Sequence, residues 1–322
     1  MEFDANLEVL HTALAPPPGY QRATEQAPEE PVDNLVLSLD ARLEGGRDQA
    51  HRDRLADAPV YSLGQEPVSG GFVPRLPLRL VSAEEPLDKA TAEPVNDQSA
   101  HPISAIGRIT AVFGGRIRYC TGTVIAERIV LTAAHCAHLR AEDGEPGGDS
   151  FADWILFEPQ YSAGKSLGHW AGSGAYILSG WAKPAPGSSA GPFDFALVQL
   201  DAPIAAVTGT VGVLANTLPD GPFTSFGYPR QPSEGYMFDG NRLYATTGAL
   251  TDQSAPGLIQ AENALTEGSS GGPWIVQHEG TLKIAGLNSA KPLLSDDHTW
   301  SPVFGEPFLQ LLGRVLADMT GV

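Results

Sequence analysis

From Ile103 onward the chain is written in short apolar runs separated by Gly and Pro. Runs at Ile106–Phe113, Ile117–Ile125, Ile129–Thr132, Trp154–Phe157 and Phe195–Leu200 are rich in β-branched and aromatic residues, which predicts strands. Thr224–Tyr228, Leu243–Thr247, Trp274–Gln277 and Leu282–Leu287 continue the pattern. Many short strands with turn residues between them point to an all-β chain built as an antiparallel sandwich or a pair of barrels. The end of the chain changes period. Phe308, Leu311, Leu312, Val315, Leu316 and Met319 recur at helical spacing, which predicts an amphipathic helix over 306–319.

The first 102 residues lack this texture. Residues 1–100 hold 18 acidic and 8 basic side chains, a net of −10, against −8 for the remainder. Proline is clustered there (Pro16, Pro17, Pro18, Pro28, Pro31), and short apolar runs occur only at Leu35–Leu37 and Leu78–Val81. This composition predicts a mostly irregular leader, pro-segment or linker over 1–102. The alternative is a small domain docked on the rest.

Composition narrows the function. The 322 residues are 42% hydrophobic, enough for a sizeable core, while 36 Gly and 27 Pro suit a turn-rich β protein. No stretch approaches the ~18–20 continuous apolar residues of a membrane span. A net charge of −18 repels phosphate backbones and anionic lipid, so neither nucleic acid nor a membrane surface is expected as a partner. There is no Cys-x-x-Cys or His-Glu-x-x-His spacing, so no metal and no cofactor is expected.

Three segments carry candidate chemistry. The first, Val130–Cys136, ends a β-rich run on Thr132-Ala133-Ala134-His135-Cys136. An imidazole there can accept a hydroxyl proton near neutral pH. Cys120 and Cys136 flank the run and could bond across a hairpin. Read alone, His135 fits a core histidine beside two buried thiols equally well. The second is Asp194, between Phe193 and Phe195, opening an apolar run. A buried acid needs a partner, and a histidine Nδ1–H is one; a turn-starting Asp is the alternative. The third, Thr266-Glu267-Gly268-Ser269-Ser270-Gly271-Gly272-Pro273, permits a tight loop whose N–H groups converge. It is also compatible with a plain Gly/Ser turn or with the nucleophile elbow of an α/β-hydrolase. Chain order argues against the hydrolase: its serine precedes acid and histidine, whereas here only His278 and His298 follow Ser270.

Taken together and in this order, the three segments resemble the signature blocks of trypsin/chymotrypsin-like serine proteases. The resemblance covers about Ile103 to Val322. The single pair of cysteines, Ser104–Ile109 leading into Cys120, and the Phe226-Gly227-Tyr228-Pro229 turn are most similar to the bacterial glutamyl-endopeptidase branch. It implies a peptidase domain over 103–322. This would comprise two antiparallel six-stranded β-barrels (near 103–205 and 206–305) and the closing helix. It also implies a serine endopeptidase acting on protein or peptide substrates. His135, Asp194 and Ser270 would form the triad, and the N–H groups of Gly268 and Ser270 the oxyanion hole. A non-catalytic binding module on the same fold is the competing expectation.

The resemblance also places the primary substrate pocket: Ala264 and Leu265 near its base, Asn288, Ser289 and Lys291 along one wall. The base has no Asp, so a preference for Arg or Lys is not expected; Lys291 fits a cation for an acidic side chain and a solvated surface lysine equally well, so no Glu preference is assigned. Ser269 stands where trypsin-like zymogens carry the Asp that pairs with a freed amine, so activation by pro-segment removal is expected to work differently, with a new amine acting in the pocket. The chain is expected to be a monomer. A Cys120–Cys136 disulfide points to a secreted or periplasmic setting. Met1-Glu2-Phe3-Asp4 does not read as a standard secretory signal, which keeps a cytoplasmic setting open.

Overall fold

The computed structural model describes residues 7–21, 90–141, 149–184, 189, 191–218, 221–233, 235–252, 255–291 and 297–320. The runs Leu35–Leu37 and Leu78–Val81 lie outside these residues. In chain order the first half holds β1 (Val9–Ala13), β2 (Ala92–Pro94), β3 (Ile106–Phe113), β4 (Arg116–Ala126), β5 (Ile129–Thr132), β6 (His138–Leu139), β7 (Ser150–Phe151), β8 (Trp154–Pro159), β9 (Trp170–Leu178) and β10 (Ala196–Leu200). The second half holds β11 (Gly212–Val213), β12 (Phe223–Gly227), β13 (Tyr244–Gly248), β14 (Leu250–Asp252), β15 (Leu258–Glu262), β16 (Pro273–His278), β17 (Thr281–Leu287) and β18 (His298–Pro302).

Strands β9-β10-β5-β4-β3-β8 run side by side, and β8 pairs back onto β9, closing a six-stranded barrel. All eight residues of β3 are buried, because it lies between β4 and β8, and Ile106 and Ile109 both join the first core. The second half curls a six-stranded sheet, β11-β17-β16-β12-β13-β2, and a three-stranded sheet, β14-β15-β18, around a second core. Phe223 and Trp274 stack at its centre, with ring centroids 4.4 Å apart. One closed six-stranded barrel is present and the whole is consistent with the double barrel the resemblance implies, with the second unit built as two sheets that include one parallel pair, β11 with β17.

The expected strands are present, with ends displaced by at most two residues. The expected C-terminal helix spans Glu306–Thr320. It returns to the first barrel: Phe308, Leu311, Leu312 and Val315 join the first core, and Phe308 meets the ring of Phe195 at 5.7 Å. The residue beside Asp194 is thereby clamped from outside the barrel.

Two strands come from the stretch expected to be irregular. β1 adds to the stretch of β9 beyond its pairing with β8, and β2 adds to β13. Sequence patterning also missed β9 (Trp170-Ala171-Gly172-Ser173-Gly174-Ala175-Tyr176-Ile177-Leu178). Its small residues look like turn signals but make room instead. A Cβ on Gly172 would lie 2.9 Å from Leu14 Cδ1 and 3.2 Å from Val198 Cγ1.

Cys120 on β4 and Cys136, just past β5, form a disulfide with Cα atoms 6.2 Å apart. The bond closes a loop with a sequence separation of 16, so reduction is expected to cost about 3 kcal/mol. Urea unfolding midpoints with and without reductant measure this; identical midpoints would contradict it.

Candidate active site

His135 sits in a single 3₁₀ turn, Ala134–Cys136, directly after β5. Ala133 is extended and the chain then tightens, which turns the imidazole out of the strand end. Its backbone carbonyl accepts from Arg118 Nη1 at 3.1 Å, and Cys136 is bonded to β4. The turn is therefore tied on both sides of the ring.

Asp194 follows the 3₁₀ turn Gly191–Phe193 and is 2% exposed. Its Oδ2 accepts from His135 Nδ1 at 2.9 Å, and its Oδ1 accepts from the His135 backbone N–H at 3.0 Å. Ser289 Oγ donates to Oδ2 at 2.5 Å. Burial alone would raise the Asp194 carboxyl. The adjacent His135, its ring hydrogen bond, and the bonds from Ser289 and the His135 backbone outweigh burial and hold the group below the ordinary carboxylate range. A neutral imidazole donating from Nδ1 keeps its lone pair on Nε2, ready to take a proton.

The loop around Ser270 can be built only with glycine at three positions. Gly268 and Gly271 have φ of +94° and +80°, where a side chain is strained. A Cβ on Gly271 would run into Thr132 Oγ1 and Thr121 O, and one on Gly272 into Phe226 O. The loop thus lies directly against the end of β5 that leads into His135. The Thr121 N–H, next to Cys120, donates to Ser270 O at 2.8 Å, and Thr121 Oγ1 donates to Gly268 O at 3.0 Å. Ser270 is half-buried. No hydrogen bond joins it to His135 among the described residues; such contacts often close only when substrate is bound.

Within the loop, the N–H groups of Ser269, Gly271 and Gly272 are spent on Thr266 O, Asn288 O and Ser269 O. Those of Gly268 and Ser270 meet no acceptor among the described residues, leaving two donors unspent beside the Ser270 side chain. Ser269 Oγ donates to Thr266 O at 2.6 Å, so the hydroxyl is used within the loop itself.

A cavity of about 500 Å³ opens beside Ser270. Ala264, Leu265, Asn288, Ser289 and Lys291 all line it, so the residues expected in one pocket are brought together. Ala90, Glu267 and Asp297 line it too and were missed by sequence reading. The Asn288 side-chain amide is fully engaged within the protein. Oδ1 accepts from Ser225 Oγ, Asn263 Nδ2 and Trp274 Nε1, each at 2.8 Å, while Nδ2 donates to Phe226 O and Ser269 O at 3.1 and 3.2 Å. This buried amide ties the serine loop to β12 and β16. Ser289, which lines the cavity as expected, also turns its hydroxyl to Asp194.

Cys120, His135 and Cys136 place ligand-type atoms within 4.8 Å of one another. The two sulfurs are bonded to each other, so neither offers the thiolate a metal requires.

Removing the Ser289 hydroxyl tests the electrostatics. A carboxyl whose pKa is depressed on folding stabilises fully above its unfolded value of about 4 and loses that stability as pH falls through the lower folded value. Ser289→Ala is expected to cost about 2 kcal/mol at pH 7, the scale of a hydrogen bond to a charged group. The gap to wild type is expected to narrow below about pH 4. Urea midpoints at pH 7 and pH 3 measure both, and a gap that is the same at each pH would contradict the assignment.

The family model described as Trypsin matches residues 95–304, well over half of the chain. Among solved structures, the protease Anisep from Arthrobacter nicotinovorans is 25% identical with a TM-score of 0.56; the match covers 68% of this chain and 99% of that one. A thermostable serine protease from an extremophilic microorganism is 23% identical with a TM-score of 0.55, covering 66% and 96%. A Glu endopeptidase is 21% identical with a TM-score of 0.57, covering 70% and 96%. The last two show likeness of fold. No curated protein matches the chain.

Proposed function

Because the chain belongs to the trypsin family of serine proteases, we propose that it cleaves peptide bonds with Ser270 as nucleophile, His135 as base and Asp194 as the group that orients and charges the base. Ser270 Oγ attacks the peptide carbonyl as His135 Nε2 takes its proton, giving a tetrahedral intermediate. The oxyanion is held by the Gly268 and Ser270 N–H groups; one such donor is typically worth about 3–4 kcal/mol of the barrier. Collapse breaks the C–N bond, and the proton on Nε2 passes to the leaving amine. Water, activated by the same histidine, then hydrolyses the acyl-enzyme and restores Ser270.

One observation carries this reading. The His135–Asp194 pair and the carbonyl of Ser270 are anchored on the same disulfide-linked stretch of β4, at Arg118, Cys120 and Thr121. Three residues far apart in sequence thus share one support.

The cavity beside Ser270 serves as the primary pocket, with Ala264 and Leu265 at its base. At that base a buried Arg or Lys side chain would find no acidic partner, although Glu267 and Asp297 also line the cavity, and burying a charge without a partner is expensive. Recognition of an acidic side chain would rest on Lys291, since the Asn288 amide is already spent. The test is a peptide library varied at the residue before the scissile bond, run alongside a denatured protein substrate. Endoproteolysis with little cleavage after Arg or Lys supports the proposal. A folded protein that turns over neither substrate would favour the binding-module alternative, and dominant cleavage after Arg would overturn the pocket assignment.

A further inference from the structure

We propose that residues 7–21 form a strap that positions the catalytic pair, so that turnover depends on strand β1. The inference rests on the proteolytic reading of Ser270 above.

The strap is tied through residues 7–14 and again at Tyr20. Val9–Ala13 pair in antiparallel register with Leu178–Gly174 of β9. The ladder extends at both ends: the Leu14 N–H donates to Ser173 O at 3.0 Å, and the Ser179 N–H donates to Glu8 O at 2.8 Å. Leu14 is 8% exposed and seats over Gly172, the position in β9 that has no side chain to block it. The His11 ring stacks on Tyr176 at 5.4 Å. Beyond the strand, the Tyr20 hydroxyl donates to His169 O at 3.0 Å and accepts from the Ala171 N–H at 3.1 Å. At the other end Gln310 Nε2 of the C-terminal helix donates to Leu7 O at 3.0 Å.

Where the Glu8 end is tied gives it a role in catalysis. Ser179 opens a single helical turn, Ser179–Ala182, and its N–H is the one held by Glu8. The next residue, Gly180, lies against the Phe193 ring so closely that a Cβ would come within 2.6 Å of it. Phe193 immediately precedes Asp194. Trp181, one residue further, sets its ring 6.3 Å from that of His135 and donates its indole N–H to His138 O at 3.2 Å. One turn of helix therefore leans on both members of the pair, on the acid through Phe193 and on the base through Trp181. The strap holds the start of that turn. A displacement of about 1 Å in such a support can cost about a hundredfold in rate.

A strand that served only stability would lower the unfolding midpoint and leave the turnover of the folded enzyme alone. The two roles separate with full-length variants. Ser179→Pro deletes the N–H that Glu8 accepts. Leu178 already has φ −94° and ψ 148°, the extended form required before proline, and the first helical position tolerates proline. Ser179→Ala keeps the N–H and sets the reference. Ser179→Pro is expected to show kcat about tenfold or more below Ser179→Ala, with KM changed by less than about threefold.

Thr12→Pro breaks the ladder opposite Ala175 and is expected to lose activity comparably. A synthetic peptide of residues 7–21 added to this variant is expected to restore activity saturably, and the same peptide carrying Thr12→Pro is not. Equal kcat for Ser179→Pro and Ser179→Ala overturns the inference. Should Ser179→Pro fail to fold, the peptide experiment decides, and failure of the peptide to restore Thr12→Pro also overturns it. A folded wild type without turnover, or turnover that survives Ser270→Ala, would instead sink the proteolytic reading itself. Processing that discards residues 7–21 is, on this account, a loss of activity and not an activation.

Discussion

Ser270→Ala is expected to lower kcat/KM on a peptide substrate by about 10⁶-fold, with an unfolding midpoint close to wild type. The size of the loss follows from how the site is assembled. Nucleophile and base act as a unit, so removing either forfeits nearly the whole contribution of the group. What survives is the binding cavity and the two N–H donors of Gly268 and Ser270, worth about 10³–10⁴ over water. The fold has no reason to respond. The Ser270 side chain makes no hydrogen bond among the described residues, while the backbone carbonyl that ties the loop to Thr121 is unaffected by the substitution. Steady-state kinetics and a urea titration of the same preparation measure both quantities. A loss below about 100-fold would mean that another group is the nucleophile.

Asp194→Asn is expected to reduce kcat by about 10⁴-fold near neutral pH. The carboxylate takes two donors from His135, the ring Nδ1 and the backbone N–H, and one from Ser289. An amide oxygen can accept some of these bonds, but its NH₂ group cannot. To pair with the amide nitrogen the ring must present a lone pair at Nδ1, which moves its proton to Nε2 and takes away the base. The charge that stabilises the imidazolium during proton transfer is lost as well. Because the bond to the His135 backbone remains available, the fold is expected to persist. A pH–rate profile decides the matter: the variant's residual rate should rise with pH where wild type has reached its plateau. An Asp194→Asn enzyme within about tenfold of wild type would show that the acid is only a structural partner of the turn.

The parts of this site that sequence made legible are the local ones. Thr132-Ala133-Ala134-His135-Cys136, Asp194 with its apolar run, and the Gly268–Gly272 loop each encode their conformation within a few residues. The glycines show why: positive φ and close backbone approach leave no alternative at Gly268 and Gly271. The helical period of Phe308 to Met319 was readable for the same reason. What could not be read depends on distant residues meeting. The Ser289 hydroxyl reaches Asp194 across 95 residues, and no feature around either signals the bond. Asn288 looks like a wall residue but anchors an amide network drawn from Ser225, Asn263 and Trp274. β1 and β9 went unread together because each explains the other. Gly172 and Gly174 blur the apolar pattern of β9, and Gly172 is what lets Leu14 of the added segment seat against it.

The proteolytic account stands or falls on where a fluorophosphonate bonds. The folded, full-length protein would be treated with such a probe and its peptides mapped by mass spectrometry. The account expects one adduct per chain, on the peptide containing Ser270, that fails to form in Ser270→Ala and forms far more slowly in Asp194→Asn. An adduct at any other hydroxyl, or none on a protein that is folded and carries its Cys120–Cys136 bond, would contradict it.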